Sequence, residues 1–344
     1  MTPYNKHAVQ KNETLKTVAA LYGLEPDALK LFHNNLCSVK DMILIELTGQ
    51  KEIFIPRNAV EDQNKLVKFG HGNKLAFNPG KMSSGYGVII SIEKGDHKNE
   101  LKYETSVRWL KSENNLHYFE IDRTSKLYLN EEEVNEIADM LAYRTSQVLY
   151  PLQISVDQKG KFNAVENIDI FKKRWTAVKE EVYKEFDGET VDRYCRKIEE
   201  VIEAPETISF YLKSDYFIRT LFWGIYQTFG PDFQITGTES FPVVENPVEP
   251  QYEIKLEIDP LKDEHGLIRI DGTGTLSDER SSYDFISGAP FSMLISDNPV
   301  INREGEFRMR YYLNGQTAFP ESVYLECSIK LEEEKKISVV VAAL

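Results

Sequence analysis

Apolar and polar residues alternate along several stretches of the chain. Residues 101–109 place mostly apolar side chains at odd positions and polar ones between them, and this period of two predicts a strand with one buried face. A partner strand is predicted over 116–122, because Asn114-Asn115 favours a tight turn between the two stretches. The same period recurs in residues 252–259, 306–313, 323–331 and 337–341. One face of each strand is polar, so we expect an antiparallel sheet with a solvated face.

Between these two groups of strands the apolar spacing changes to three or four residues. Residues 131–149 predict a helix in which Asn130 is the N-cap and Glu133 completes a capping box. The stretches 166–186 and 191–202 carry apolar residues on one face and charges on the other. This pattern predicts a hairpin of two amphipathic helices.

A third helix is predicted over residues 207–229, after the break at Pro205. Its aromatic residues lie on nearly every face: Phe210, Tyr211, Tyr216, Phe217, Phe222, Trp223, Tyr226 and Phe229. A helix that is apolar on most faces is usually buried on most faces, so we expect it at the centre of the core. The alternative is a cup for an apolar ligand, which requires a dry cavity beside Phe222 and Trp223.

Together these patterns predict an α+β fold, in which an N-terminal β-α-α-β module is followed by antiparallel sheet, a helical hairpin and a buried aromatic helix. A chain of 344 residues is long enough for about two domains. Turn-forming residues and prolines suggest where the divisions lie. The predicted order is a module over 1–58, a linker over 59–85, an α+β domain over 86–230, a Pro-rich connection over 231–251 and a β-rich part over 252–344. The last part is expected either to stand alone or to join 86–230 in one body.

The first 58 residues carry the most specific pattern in the sequence. A short strand over Lys6–Gln10 leads into Asn12-Glu13-Thr14-Leu15, and Val18–Gly23 has the apolar spacing of a helix that a glycine closes. Pro26 suits the first turn of a second helix, and the closing run Leu47–Pro56 ends in Ile-Phe-Ile-Pro. The apolar residues of these elements are sufficient for a small β-α-α-β core.

These motifs resemble a LysM domain. The resemblance implies two antiparallel strands under two helices, and binding of N-acetylglucosamine polymers such as peptidoglycan or chitin. It also implies a ligand groove between the loop that precedes the first helix and the loop that follows the second. The candidate glycan- or partner-binding residues are then Lys11, Asn12, Glu13, Thr14, Leu15, Phe32, Asn34, Asn35 and Leu36.

The chain departs from the LysM pattern at three places. Asn12 stands where a glycine is common, and one residue is added between Gln50 and Ile53. The segment after Asn35 is longer than usual and contains the mostly apolar run Met42–Leu47. Because this segment adjoins the implied groove, it is expected to be able to block it. A second interpretation of the loop before the first helix is that its polar residues only cap that helix.

The net charge of the chain excludes some classes of binding partner. It has 41 basic and 55 acidic residues, a net charge of −14, which repels phosphate backbones and argues against nucleic-acid binding. No uncharged stretch is long enough to span a bilayer, and the N-terminus lacks a basic segment followed by an apolar run. We therefore expect a cytoplasmic protein without a membrane span, and its delivery to the outside would require a non-classical route.

No motif in the chain identifies a reaction, and its six histidines and three cysteines fall at no metal-ligand spacing. The expected function is therefore non-enzymatic, with no catalytic residues, no metal and no cofactor. We expect a binding or adaptor protein that docks on a protein partner in a phage-tail-like or type VI-like contractile secretion apparatus. Three alternatives stay open: a protein that binds peptidoglycan or another N-acetylglucosamine-containing glycan, an effector or enzyme with its activity in residues 86–344, and a carrier of an apolar ligand.

Overall fold

The computed structural model describes residues 4–11, 13–59, 62–293 and 304–344. Helices and a large antiparallel sheet form a mixed α+β fold, which confirms the predicted fold class. Among these residues, no helix combines the length and the apolar character that crossing a membrane requires.

A small N-terminal unit contains two strands and two helices: β1 (Tyr4–Ala8), α1 (Leu15–Leu21), α2 (Pro26–Asn34) and β2 (Glu52–Pro56). β1 and β2 pair antiparallel, with His7 opposite Ile53. Alternate residues of β2 point inward, so Ile53 and Ile55 are fully buried. The core of this unit consists of Leu15, Val18, Ala19, Leu29, Ile43, Ile53 and Ile55. The β-α-α-β order that the sequence predicted is present.

The rest of the described chain contributes further strands and helices. The strands are β3 (Ser83–Lys94), β4 (His97–Glu113), β5 (Leu116–Arg123), β6 (Tyr128–Leu129), β7 (Glu132–Glu133), β8 (Leu152–Val156), β9 (Phe162–Val165), β10 (Gln234–Ser240), β11 (Gln251–Ile258), β12 (Ile268–Leu276), β13 (Glu306–Leu313), β14 (Pro320–Lys330) and β15 (Glu334–Ala343). The helices are α3 (Ile137–Ser146), α4 (Phe171–Glu185), α5 (Glu189–Glu203), α6 (Pro205–Lys213), α7 (Tyr216–Leu221) and α8 (Ser282–Ser287).

Strands β3 to β15 belong to one antiparallel sheet, in the order β10-β11-β12-β13-β14-β15-β3-β4-β5-β8-β9, with β6 and β7 attached at β4. The pairing of β15 with β3, with Val339 opposite Ile90, joins strands from residues 83–165 to strands from residues 234–343. Part of the predicted linker also packs on this sheet, because Leu75 and Phe77 are buried in the large core. The sheet therefore organises most of the chain after the N-terminal unit.

The two outer strands of the sheet approach each other. Lys161, next to β9, forms a 2.8 Å ion pair with Glu239 of β10. The Phe162 amide donates to the carbonyl of Phe222 at 3.4 Å, so the segment after α7 lies against β9. Phe222 and Trp223 of that segment are buried in the large core. The sheet thus bends around an aromatic interior.

The helix predicted over 131–149 begins later than expected. Asn130 and Glu131 have φ angles of 49° and 71°, they form the turn between β6 and β7, and α3 begins only at Ile137. The Asn130 side chain accepts from the Glu100 amide at 2.9 Å, which ties this turn to β4 instead of capping a helix. The predicted capping box was wrong because asparagine also favours left-handed turn conformations.

The helix predicted over 207–229 is two shorter helices, and residues 222–229 are not helical. α6 ends at Lys213, and Asp215 caps α7 by accepting from the Ile218 amide at 2.9 Å. Aspartate is a strong N-cap residue, so it favours a new helix start over continuation of the old helix. α7 is buried, whereas Phe210 and Tyr211 of α6 are 56% and 61% exposed, against the expectation that all these rings lie in the core.

The aromatic residues that follow α7 pack as an ordinary core. The Phe222 ring lies 5.1 Å from Phe119 and the Trp223 ring 4.9 Å from Phe307, measured between centroids. Two cavities that touch Trp223 have volumes of about 20 and 60 Å³, which is room for one or a few water molecules. This packing favours the core interpretation of these rings over a ligand cup.

Candidate functional site

The loop before α1 is fixed by its own hydrogen bonds. The Thr17 amide donates to Thr14 Oγ1 at 3.1 Å, and the Thr14 amide donates to Thr17 Oγ1 at 2.9 Å. This reciprocal pair is a capping box, which satisfies backbone donors at the helix start. Thr14, a candidate binding residue, therefore has a structural role.

Glu13 in the same loop is also engaged within the unit. Its Oε2 accepts from the Gln10 amide at 2.7 Å and lies 2.8 Å from Nε2 of the buried His7. His7 Nδ1 lies 3.0 Å from the Tyr22 hydroxyl, so the imidazole bridges the loop and α1. Burial alone would raise the pKa of Glu13, but the bonds from His7 and Gln10 outweigh burial and hold this pKa below its usual value.

The loop after α2 is fixed through Asn34. The Asn34 Nδ2 donates to the carbonyl of Ile43 at 2.9 Å, and the Ile43 amide donates to Asn34 Oδ1 at 2.8 Å. The side-chain amide thus pairs with the backbone as a neighbouring strand would, and the Ile43 side chain enters the core. The inserted segment after α2 is anchored at this point.

The same segment is anchored a second time, at the start of α1. Glu46 Oε2 accepts from the Leu15 amide at 3.0 Å and from the Leu47 amide at 3.2 Å. A carboxylate at this position is also favoured by the positive end of the helix dipole. The segment is therefore bonded to both loops that the LysM resemblance places around a groove.

Between these two anchors the chain turns apolar side chains outward. Leu44 and Ile45 are 80% and 84% exposed, and they stand directly between Ile43 and Glu46. Together with Leu36, Val39 and Met42, which are also exposed, they form what we name the exposed apolar loop. Soluble proteins expose single apolar residues routinely, but a concentration of them marks an interaction site.

Buried His33 holds the base of the exposed apolar loop. Its Nδ1 accepts from the Phe54 amide at 3.0 Å, so its Nε2 carries the proton and donates to the carbonyl of Asp41 at 3.0 Å. The ring also stacks on Phe54, with 5.4 Å between centroids. His33, Ile43 and Glu46 were not among the predicted site residues. The sequence signal for Ile43 and Glu46 is the apolar run Met42–Leu47 that Glu46 interrupts, and this run does not include His33.

The other predicted site residues have varied positions. Lys11 and Asn35 are exposed, Phe32 is half-buried, and Leu15 lies in the core of the unit. Asn12 lies outside the described residues. Among the described residues, the inserted segment links the two predicted loops, because the Leu15 amide bonds to Glu46 and the Asn34 side chain bonds to the Ile43 backbone. Within the described part of the chain, no three His, Cys, Asp or Glu side chains come together as metal ligands.

We expect acid to destabilise the N-terminal unit through Glu13. The folded pKa of this carboxyl lies below that of the unfolded chain, which is about 4.3, so the unfolded chain binds the proton first. This stabilisation of the folded state is fully present above the unfolded pKa and is lost as the pH falls through the folded pKa. Hydrogen exchange of the β1 and β2 amides, corrected for intrinsic exchange rates, gives their opening free energies. These free energies should fall as the pH is lowered. Glu13→Gln should show less of this fall, and an identical acid dependence in both proteins would contradict this role.

Comparisons with known proteins yield no family for this chain. No protein-family model matches the sequence, and no curated protein matches it.

A structure of lipovitellin with its lipid interactions matches 78% of this chain at 11% identity and a TM-score of 0.41, and the chain spans about a quarter (25%) of that protein. A proposed outer membrane lipoprotein-sorting protein domain from Vibrio parahaemolyticus matches with 5% identity, coverages of 78% and 85%, and a TM-score of 0.19. The Pseudomonas aeruginosa MucA/MucB complex matches with 5% identity, coverages of 77% and 89%, and a TM-score of 0.13. Similarities this low carry no inference about function.

Proposed function

We propose that this chain is a non-enzymatic binding protein whose N-terminal unit docks on a partner protein through the exposed apolar loop. The observation that carries the proposal is the position of Leu44 and Ile45 between two anchored residues, Ile43 and Glu46. A short apolar projection held on both sides loses little conformational freedom on binding, which favours affinity. The LysM resemblance makes a component of a phage-tail-like apparatus our first candidate for the partner.

The polar side chains of the two loops are already hydrogen-bonded within the unit, which favours a protein over a glycan as the binding partner. Sugar recognition requires polar groups that are free to bond hydroxyl and acetamido groups. Glu13 bonds to His7 and Gln10, and both amide atoms of Asn34 bond to Ile43. Binding a sugar through these groups would first break bonds within the unit. The inserted segment would also have to leave both loops.

The distribution of charge favours a protein over a lipid bilayer. Residues 1–58 contain seven basic and six acidic residues, whereas the rest of the chain has fifteen more acidic residues than basic ones. A strongly acidic body is repelled by the anionic lipids that attract peripheral proteins. Glu46 also lies next to Ile45, so insertion of the loop would bring a carboxylate to the bilayer surface.

Site-specific photocrosslinking tests this proposal. A photoreactive amino acid at position 45 of the full chain, in cells that normally produce it, should crosslink to one discrete protein. The same group at position 137 is a matched control, because Ile137 is also exposed (69%) but lies on α3, outside the N-terminal unit. Leu44→Ser should abolish the crosslink from position 45 if the loop is the docking surface.

Each other outcome contradicts the proposal. A crosslink that Leu44→Ser leaves intact, or that appears equally from position 137, would show nonspecific proximity. Flotation of the chain with lipid vesicles, lost in Leu44→Ser, would assign the loop to a membrane. Binding of chitin oligomers at about millimolar affinity or tighter, lost on substitution in residues 11–15, would establish the glycan alternative.

A further inference from the structure

A cavity of about 810 Å³ lies between α6 and the proline-rich segment 240–251. Its walls are mainly apolar and include Phe210 and Tyr211 of α6, and Val244 and Val248 of the segment. The two aromatic rings meet edge-on, with centroids 6.0 Å apart, although both are more than half exposed. Cavities of about 300–1,000 Å³ with mainly apolar walls are typical of small-molecule sites.

Each carboxylate that lines this cavity lies within 4 Å of a cation. Glu249 accepts from Arg219 Nη2 at 2.8 Å and from Ser240 Oγ at 2.6 Å, and both charged side chains are largely buried. Glu245 is fully exposed, and its Oε1 lies 3.9 Å from Lys335 Nζ.

Lys213, the last residue of α6, lines the same cavity and is exposed. The salt bridges between described residues do not include Lys213, so its ammonium group is a charge in the lining that has no ion-pair partner. A cation beside apolar walls is complementary to an amphipathic anion. We propose that the cavity binds a small molecule with an apolar body and one carboxylate. Lys213 pairs with the carboxylate, and Phe210 and Tyr211 cover the apolar body.

Three probes with the same alkyl chain and different head groups test this site. Decanoate is an anion, decanol is neutral and decyltrimethylammonium is a cation. Calorimetric titration of the full chain below micelle-forming concentrations should give the tightest binding for decanoate, about fivefold over decanol, and the weakest for the cation. Lys213→Gln should abolish the preference for decanoate over decanol and leave decanol binding unchanged. Lys172→Gln, which removes an exposed lysine of α4, is the matched control.

The apolar wall is tested separately. Phe210→Ala with Tyr211→Ala should weaken binding of all three probes by at least about tenfold, because the apolar body loses its cover. Both rings are more than half exposed, and a thermal melt verifies that the variant folds. Ile137→Ala removes another apolar side chain that is more than half exposed, and it should leave binding of all three probes unchanged. Absence of decanoate binding at about millimolar concentration, equal affinity for all three head groups, or indifference to the α6 substitutions would each overturn the proposal.

Discussion

Replacing Arg280 with methionine should lower the free energy of unfolding by about 3–5 kcal/mol. Arg280 is buried beside β12, and all five N–H donors of its guanidinium group are used. Nε and Nη2 bind the two carboxylate oxygens of Asp278 at 2.9 and 2.8 Å. The remaining donors bind the carbonyls of Val248, Glu249 and Ala289 at 3.0–3.1 Å. Methionine fills a similar volume but leaves all these acceptors without their donors.

The large loss of stability in Arg280→Met arises because the Asp278 carboxylate stays buried without its partner. Asp278 is nearly inaccessible, and burial would raise its pKa, yet the bonds from Arg280 hold this pKa below its usual value. Without Arg280 the carboxylate must lose its partner inside the protein or take up a proton, and either change favours unfolding. Val248 and Glu249 also line the cavity between α6 and the proline-rich segment, so the variant should loosen that wall.

Urea unfolding of the full chain measures this effect. Arg280→Lys should recover little, because a single ammonium group does not reproduce a planar fork of five donors. Adding Asp278→Asn to Arg280→Met should restore part of the stability, since no buried charge is then left alone. Arg269→Met, which removes one of the two exposed arginines paired with Asp271, is the matched control and should cost less than about 1 kcal/mol. Equal losses for Arg280→Met and Arg269→Met would contradict the role given to Arg280.

The double substitution Leu44→Ser with Ile45→Ser should reduce affinity for the partner protein by about 100-fold or more. Each of these side chains contributes about 1.5–3 kcal/mol when it is fully buried, so the pair contributes about 3–6 kcal/mol to docking. Both side chains are exposed in the free protein, so its stability should change by no more than about 0.5 kcal/mol. The separation of binding from stability is the characteristic result for a docking surface.

The measurement uses the protein that crosslinks from position 45, purified and titrated against the full chain and its variants. Ile137→Ser supplies the control for an exposed apolar residue outside the N-terminal unit, and should leave affinity unchanged. A loss of affinity no larger than that of the control would contradict the docking role of the loop. A fall in stability that matches the fall in affinity would mean that Leu44 and Ile45 serve the fold.

Much of the fold was predictable because one-sided burial leaves a period of two in the sequence. β11 alternates along its whole length, with Tyr252 inside and Glu253 outside. The turn at Asn114-Asn115 was also readable, since both residues adopt the positive φ that asparagine tolerates. The local sequence was sufficient to predict these elements because the residues that pack around them favour the same conformation.

β12 was not predicted, and its glycines are the reason. A Cβ at Gly272 would lie 2.5 Å from Met309 Cγ, and one at Gly274 would lie 2.6 Å from the carbonyl oxygen of Glu253. The strands on either side thus require glycine at positions where glycine weakens the sequence signal for a strand. That requirement depends on residues far away in the chain and is not visible in a local pattern.

The candidate site was predictable only in outline. The run Met42–Leu47 could be recognised as apolar, but not which of its residues would enter the core. Ile43 is buried because Asn34 pairs with its backbone, and the neighbouring Leu44 is exposed for the same reason. The contact of Glu46 with the Leu15 amide spans 31 positions of sequence, so no short-range pattern indicates it.

Titration of the full chain with chitin oligomers tests most directly whether the inserted segment has replaced sugar recognition. Amide chemical shifts of residues 11–15 and 32–36 report on binding at the loops themselves. We expect no saturable shift up to about millimolar oligomer, in the wild type and in Leu44→Ser with Ile45→Ser alike. Saturable shifts in both loops at or below that concentration would mean that the groove is open and that this unit recognises a glycan.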